Sequence, residues 1–453
     1  MEFLWVQRSA LVSFRPVAAE HYGQTCHSLS APFVKPRWLR LVRRTQARSA
    51  RRVVRFSFPI GGNIFIATRP VSIDAFFMIR CTITSLFLVV TLTTAAHAAE
   101  SLYLSAGGKV SVFQIDDVSG KLTPIQEAEH RGAGPMGVSA DKQFLYVNGQ
   151  MAAPDGGRGY VPAIATFRIG KGGKLERVGL AGSAVSSGYL SVDATGRFLA
   201  GNNYSQGRAM VWALEERVFT GGAPQVVELE KKAHSAVFSP NNLFLLVPAT
   251  EPNKVFQLRF DEKTGEATPN DPPFATGPTG EGDARQPRHL IFHPTKSLAY
   301  TSNERERPGV GVWTWSSRRG ELKTVQNIVT YPDGFDGVIT TADLHMTPNG
   351  KFLYVSNRDI TDRKARTGRD SIVGFSVNQR NGRLKMIGHF PCEHVPRSFA
   401  LSESGKFAYV AGQGDDRLGV YRIDQDTGAL KKVEQIETGA RPSWVLCVMQ
   451  GGK

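Results

Sequence analysis

The sequence predicts an all-β fold, a seven-bladed β-propeller closed by its C-terminal strand. Three observations predict it. One strand phrase recurs seven times, and no part of the body sustains a helical period. The first repeat also lacks a strand that the end of the chain can supply.

The recurring phrase is an apolar strand following a Pro- or Gly-containing turn. It appears at Leu102-Tyr103-Leu104, Phe144-Leu145-Tyr146-Val147, Phe198-Leu199-Ala200 and Phe244-Leu245-Leu246-Val247. It returns at Leu298-Ala299-Tyr300, Phe352-Leu353-Tyr354-Val355 and Phe407-Ala408-Tyr409-Val410. From Phe144 onward the starts are spaced by 54, 46, 54, 54 and 55 residues. A third strand with apolar residues at every second position follows, as in Val373-Gly374-Phe375-Ser376-Val377, which marks half-buried antiparallel strands. Turns such as Ser119-Gly120-Lys121-Leu122 and Thr427-Gly428-Ala429-Leu430 then place Gly where a hairpin needs positive φ. Four antiparallel strands repeated seven times bury their edges by going round in a circle. Ser443 to Val448 is the strand expected to complete the first repeat. A sandwich or solenoid would not account for the missing first strand and the spare last one together.

Residues 1–98 are set apart by charge. They hold 13 Lys and Arg against 3 Asp and Glu, while the other 355 residues hold 42 against 37. The near-balanced body gives no reason to expect a nucleic-acid partner. Residues 78–98 read as a secretory signal peptide: Arg80, an apolar middle from Thr82 to Ala96, and Ala96-His97-Ala98 as the small-x-small cleavage pattern. The apolar run falls short of the roughly 20 residues a membrane span needs, so no stable insertion is expected after cleavage. Residues 1–77 carry the arginine bias of a transit peptide. A signal peptide works only at a chain's beginning, so Met78 is read as the initiator and 1–77 as a mis-assigned or unstructured extension. The expected domain is 99–453, exported to the periplasm or the medium. It keeps only Cys392 and Cys447, too few for a disulfide framework, and no Cys-x-x-Cys pattern.

In a propeller, the residue entering strand one and the residue leaving strand two of each blade share a rim. The entering positions hold His234, Arg288-His289 and Arg397; the leaving positions hold Asn203-Tyr204, Glu304, Asn357-Arg358 and Gln413. Ionisable and amide groups from five blades are thus expected at one mouth, the pattern of a polar ligand pocket. Arginines bind carboxylate or phosphate bidentately and can hold a developing oxyanion. A Glu beside Arg stays ionised, and His can shuttle a proton. No Gly-x-Ser-x-Gly elbow or evident Ser or Cys nucleophile occurs, so the set suits attack by water, or an internal proton transfer, at an ester-like carbonyl. His289 and His293 sit about 13 Å apart along a strand, too far for one metal ion, and no metal or other cofactor is expected. His293 reads as structural, His345 as a hydrogen-bonded channel residue, and Trp313 and Trp315 as packing between blades.

Several phrases resemble the seven-bladed lactonase family, which includes propeller-type 6-phosphogluconolactonases and the carboxy-cis,cis-muconate cyclase. They are Val192 to Leu199 with Asn203-Tyr204, Pro287-Arg288-His289-Leu290 with Phe292-His293-Pro294, and Asn303-Glu304. Further along come Pro348 to Tyr354 with Ser356-Asn357-Arg358, and Pro396-Arg397-Ser398-Phe399-Ala400. The resemblance implies a catalytic set of His234, Arg288, Glu304 and Arg358. Asn203, Tyr204, His289, Asn357, Arg397 and Gln413 are expected to bind substrate. It implies a hydrolase opening a sugar-derived lactone, by default 6-phosphogluconolactone, with a small anionic or lactone substrate as partner. The alternatives are a muconate-type cycloisomerase and a non-catalytic exported propeller. Departures from the family pattern are Pro248 to Pro252 in the fourth repeat, Asp343 where Glu is usual, and a basic insertion from Asp362 to Arg369.

Overall fold

A computed structural model describes residues 53–57, 63–67 and 99–450, apart from Asp155, Asp333, Arg363 and Arg366. The leader read at 78–98 lies outside the described residues. Within 1–77 the structure describes one antiparallel hairpin, Val53–Ser57 with Asn63–Ala67, where the sequence suggested no regular structure.

Residues 100–449 form seven four-stranded antiparallel sheets. Numbered along the chain, the first blade orders Trp444–Met449, Glu100–Ala106, Lys109–Ile115 and Leu122–Glu129. The last strand pairs Leu102 with Cys447 and Leu104 with Val445, closing the ring as expected with its bounds one residue later. Blades two to seven take their four strands consecutively. Their innermost strands are Met136–Val138, Leu190–Val192, Val237–Phe238, Arg285–Phe292, Ile339–Met346 and Pro396–Leu401.

The core lies between blades rather than within one. Phe198 and Val211 of blade three pack with Leu245, Val247 and Leu258 of blade four in one buried cluster. Trp313 and Trp315 of blade five join Phe244 and Leu246 of blade four, the packing role read from sequence. The recurring Tyr of strand two explains part of the repeat. Tyr103, Tyr146, Tyr300, Tyr354 and Tyr409 each donate to a carbonyl in the outer turn of the next blade: Gly173, Arg217, Gly382, Gly428 and Gly120. The last of these spans the ring closure. Gly120, at φ +79°, also faces the Phe407 ring so closely that a Cβ would strike it. Gly428, at φ +75°, stands in the same way against the Phe352 ring, while Gly382 meets Leu298 and Gly173 meets the Ser101 side chain.

On the channel side, hydroxyls stitch one blade to the next. Ser191 donates to the Ala236 carbonyl, Ser235 to that of Arg288, and Ser302 to that of Ala342. Three inner strands carry register shifts near the same rim, between Pro287 and His289, Thr341 and Leu344, and Pro396 and Ser398. A bulge re-aims the side chains it displaces. The displaced positions include Arg288, Asp343 and Arg397.

Candidate active site

The rim that strand one enters opens into a pocket of about 330 Å³. His234 comes from blade four, Glu304 and Arg305 from blade five, Arg358 from blade six, and Arg397 and Gln413 from blade seven. Tyr204 and Asn202 of blade three complete the wall with Gly188 and Val395. Val395 holds φ +53°, an uncommon conformation for a β-branched residue, two positions before Arg397. Gln286, at φ +69°, stands in the same relation to Arg288.

Glu304 is the centre of the charge pattern. Its Oε1 accepts a 2.8 Å bond from Arg358 Nη2 and lies 3.8 Å from Arg288 Nε. Its Oε2 is buried, has no hydrogen-bond partner among the described residues, and lies 3.9 Å from His234 Nε2. Burial works to raise the carboxyl pKa, but Arg288 and Arg358 overcome it and hold the group below its ordinary value. Arg358 Nη2 also donates to the Thr341 carbonyl, which fixes the guanidinium against the wall. His234 packs edge-on against Tyr204 and His289 at centroid distances of 5.1 and 5.5 Å. Burial, reinforced by Arg288, drives its pKa well below the ordinary 6.5, so the imidazole is neutral near pH 7.

The four residues of the expected catalytic set thus converge, at different depths. Arg288 is 1% exposed and lies beneath the pocket, behind Glu304. Its Nη1 donates to the Ala342 carbonyl at 2.8 Å and meets His289 Nε2 at 3.0 Å. Burial, then Arg358 and Arg397, press its pKa down; a guanidinium starts so high that it stays cationic.

The expected binding residues divide. Tyr204, Arg397 and Gln413 line the pocket. His289 does not: it is 3% exposed and forms part of the floor with Tyr189 and Trp444, whose rings lie 5.3 and 5.9 Å away. Asn203 is not among the lining residues; its Oδ1 caps a turn, accepting from Ser205 Oγ and the Gln206 amide. Successive strand residues face opposite ways, so Asn202 turns inward instead and donates to the Ala233 carbonyl. Asn357 also lies outside the lining, buried and donating to the Thr330 carbonyl. His293 is structural as expected, its Nδ1 accepting from the Thr295 amide. Asp343 was not foreseen as a site residue, because a bulge carries it inward. Below the floor a second cavity of about 230 Å³ follows the channel and reaches His289, Asp343 and His345. Among the described residues no three of His, Cys, Asp and Glu cluster as metal ligands would.

This geometry can be set beside known proteins. The family model of the lactonase seven-bladed β-propellers matches residues 88–447. The chain belongs to the seven-bladed β-propeller lactonase family. It is 32% identical over 340 residues to a 6-phosphogluconolactonase of Serratia proteamaculans, covering 74% of this chain and 95% of the relative. A 6-phosphogluconolactonase of Erwinia tasmaniensis is also 32% identical, over 339 residues covering 75% and 94%. Among solved structures, the periplasmic gluconolactonase of Pseudomonas aeruginosa superposes with a TM-score of 0.67 at 26% identity, covering 77% of this chain and 99% of its own. No described helix of this family member is long and apolar enough to cross a membrane.

Proposed function

We propose that the chain is a hydrolase that opens a sugar-derived lactone with water. The observation that carries this is Glu304: a buried, ionised carboxylate with one oxygen held by Arg358 and the other unpartnered, facing a neutral histidine inside a cationic pocket. The relatives named for gluconolactone and 6-phosphogluconolactone hydrolysis support the substrate class.

In this reading Glu304 Oε2 accepts a hydrogen bond from the attacking water and turns it toward the lactone carbonyl. A bond forms between the water oxygen and the carbonyl carbon, and Arg358 and Arg397 on the wall hold the negative charge that develops. His234 takes the proton from the water. Its conjugate acid is strongly acidic, because burial and Arg288 disfavour the cation, so it hands the proton to the ring oxygen as that C–O bond breaks. Arg288 keeps Glu304 anionic from behind. The product is a hydroxy acid, released as the carboxylate. Arg305, Arg358 and Arg397 give the wall three cations against one carboxylate, which favours a substrate bearing an anionic substituent such as a 6-phosphate.

We further propose that residues 78–98 are a leader that exports the mature propeller, 99–453; the periplasmic location named for the solved neighbour supports this reading. N-terminal sequencing of the native protein checks this, and a start at or near Ala99 is expected.

The activity test is a panel of glucono-δ-lactone and its 6-phosphate, assayed by proton release beside E304Q and R358A. Each substitution is expected to lower kcat/KM by about 10²-fold or more. Equal rates for the three proteins would remove the reading.

A further inference from the structure

Beneath the pocket a chain of buried polar groups leads to Glu304, and two of its members, Asp343 and His289, have no role in the proposed reaction. Asp343, His289, Arg288 and Glu304 are 7%, 3%, 1% and 4% exposed, and they touch in that order. Asp343 Oδ1 meets His289 Nδ1 at 2.9 Å, His289 Nε2 meets Arg288 Nη1 at 3.0 Å, and Arg288 Nε lies 3.8 Å from Glu304 Oε1.

The proton bookkeeping of this chain has one solution. A guanidinium nitrogen can only donate, so His289 Nε2 must accept and carry a lone pair. The ring proton of a neutral imidazole then sits on Nδ1 and is donated to Asp343. Asp343 is built to receive it. Its Oδ1 also accepts from the Leu344 amide, and its Oδ2 accepts from Ser398 Oγ and faces His345 Nε2 at 3.3 Å. The backbone supports the same arrangement. Alternation along a regular strand would send Arg288 and His289 to opposite faces; the bulge after Pro287 lets both turn inward, and the shift between Thr341 and Leu344 brings Asp343 to meet them.

The geometry points to Asp343 and His289 as positioning residues: together they fix the imidazole as the Nδ1–H tautomer, which locks Arg288 in the orientation that holds Glu304 for catalysis. The inference rests on the lactonase reading for its kinetic consequence, though not for the tautomer. Arg288 has few ways to sit correctly without this acceptor, since its Nη1 is shared between His289 and the Ala342 carbonyl. A flipped tautomer would set an N–H against an N–H, and the guanidinium would be displaced from the carboxylate.

The experiment uses the full chain with ¹⁵N-labelled histidine, in wild-type, D343N and D343E forms. Asn at 343 can present its amide N–H₂ to the ring and so favour the other tautomer, while Glu retains the acceptor. Wild-type His289 is expected to show a protonated Nδ1 and an unprotonated Nε2. In D343N that signature should change and kcat should fall by about 10²-fold, with KM held within about threefold. D343E should restore the signature and most of kcat, which a merely structural role for the carboxylate at 343 would not require. A wild-type His289 that is Nε2-protonated or cationic would overturn the inference, as would D343N turning over gluconolactone at the wild-type rate. Should wild-type protein open neither glucono-δ-lactone nor its 6-phosphate, the lactonase reading fails while the nitrogen shifts still decide the tautomer. Should D343N not fold, the wild-type spectrum decides the tautomer and D343E the kinetic claim.

Discussion

Glu304 and the histidines around it tie catalysis to the acid stability of the protein. The Glu304 pKa is lowered by Arg288 and Arg358 against the opposing effect of burial, so its stabilising contribution is complete above the unfolded carboxylate range. That contribution is lost as pH falls through the depressed folded value. The buried histidines act at higher pH. His130 and His289 are pushed down to about 4, chiefly by burial, and His234 well below 6.5. Between pH 6.5 and 4 the unfolded chain therefore binds protons that the folded one refuses, and stability must fall as pH falls. Glu100 works the other way: burial raises it to about 7, so between about 4.5 and 7 the folded state holds a proton that the unfolded state releases. Burial lowers His293 and raises Asp370 as well, so four histidines against two carboxylates give a thermal midpoint that rises from pH 4.5 to 6.5. A calorimetric series across that range checks it; a flat or falling midpoint would contradict the neutral, buried state assigned to His234 and His289.

At the scale of elements, the junction between blades sets both stability and what could be read in advance. Tyr409 Oη donates to the Gly120 carbonyl across the ring closure, and Y409F removes that bond at a cost of about 1–2 kcal/mol. G120A should cost more than Y409F, because a side chain there meets both a φ of +79° and the Phe407 ring. Thermal midpoints in the order wild type, Y409F, G120A are expected. The repeated Phe-Leu-Tyr-Val phrase was legible because Tyr, Phe and Gly perform one task at several junctions; blades three and four, with Ala200 and Leu246 at the Tyr position, keep only the packing part. The rim was legible for a similar reason, since entering and leaving strand positions are fixed by connectivity. What strand alternation could not supply was the effect of bulges. It offered no means of placing Arg288 and His289 both inward, of bringing Asp343 to them, or of choosing Asn202 over Asn203.

For the whole molecule, closure turns a repeat into a vessel for a site. Seven sheets joined edge to channel leave no natural end except the seam in the first blade, where Glu100–Ala106 receives Trp444–Met449. The seam is buried on both sides. Val445 and Leu104 share a cluster with Tyr409 and Val420 of blade seven, while Trp444 and Val448 pack with Leu145 and Val147 of blade two. Trp444 also stands against Tyr189 and His289 under the pocket, so the last strand belongs to the site floor as well as to the ring. Removing residues 444–453 would strip the inner edge of Glu100–Ala106, expose unpaired backbone and open two interblade clusters at once. Such a truncated chain should elute as aggregate on size exclusion and lose lactone turnover completely. Removing residues 1–98 touches none of the twenty-eight strands that make the seven sheets. A chain starting at Ala99 should elute as a single folded species with the thermal midpoint of the longer one. The pair of truncations separates ring closure from chain length: a 444–453 deletion that remained folded and active would mean that the seam does not hold the propeller together.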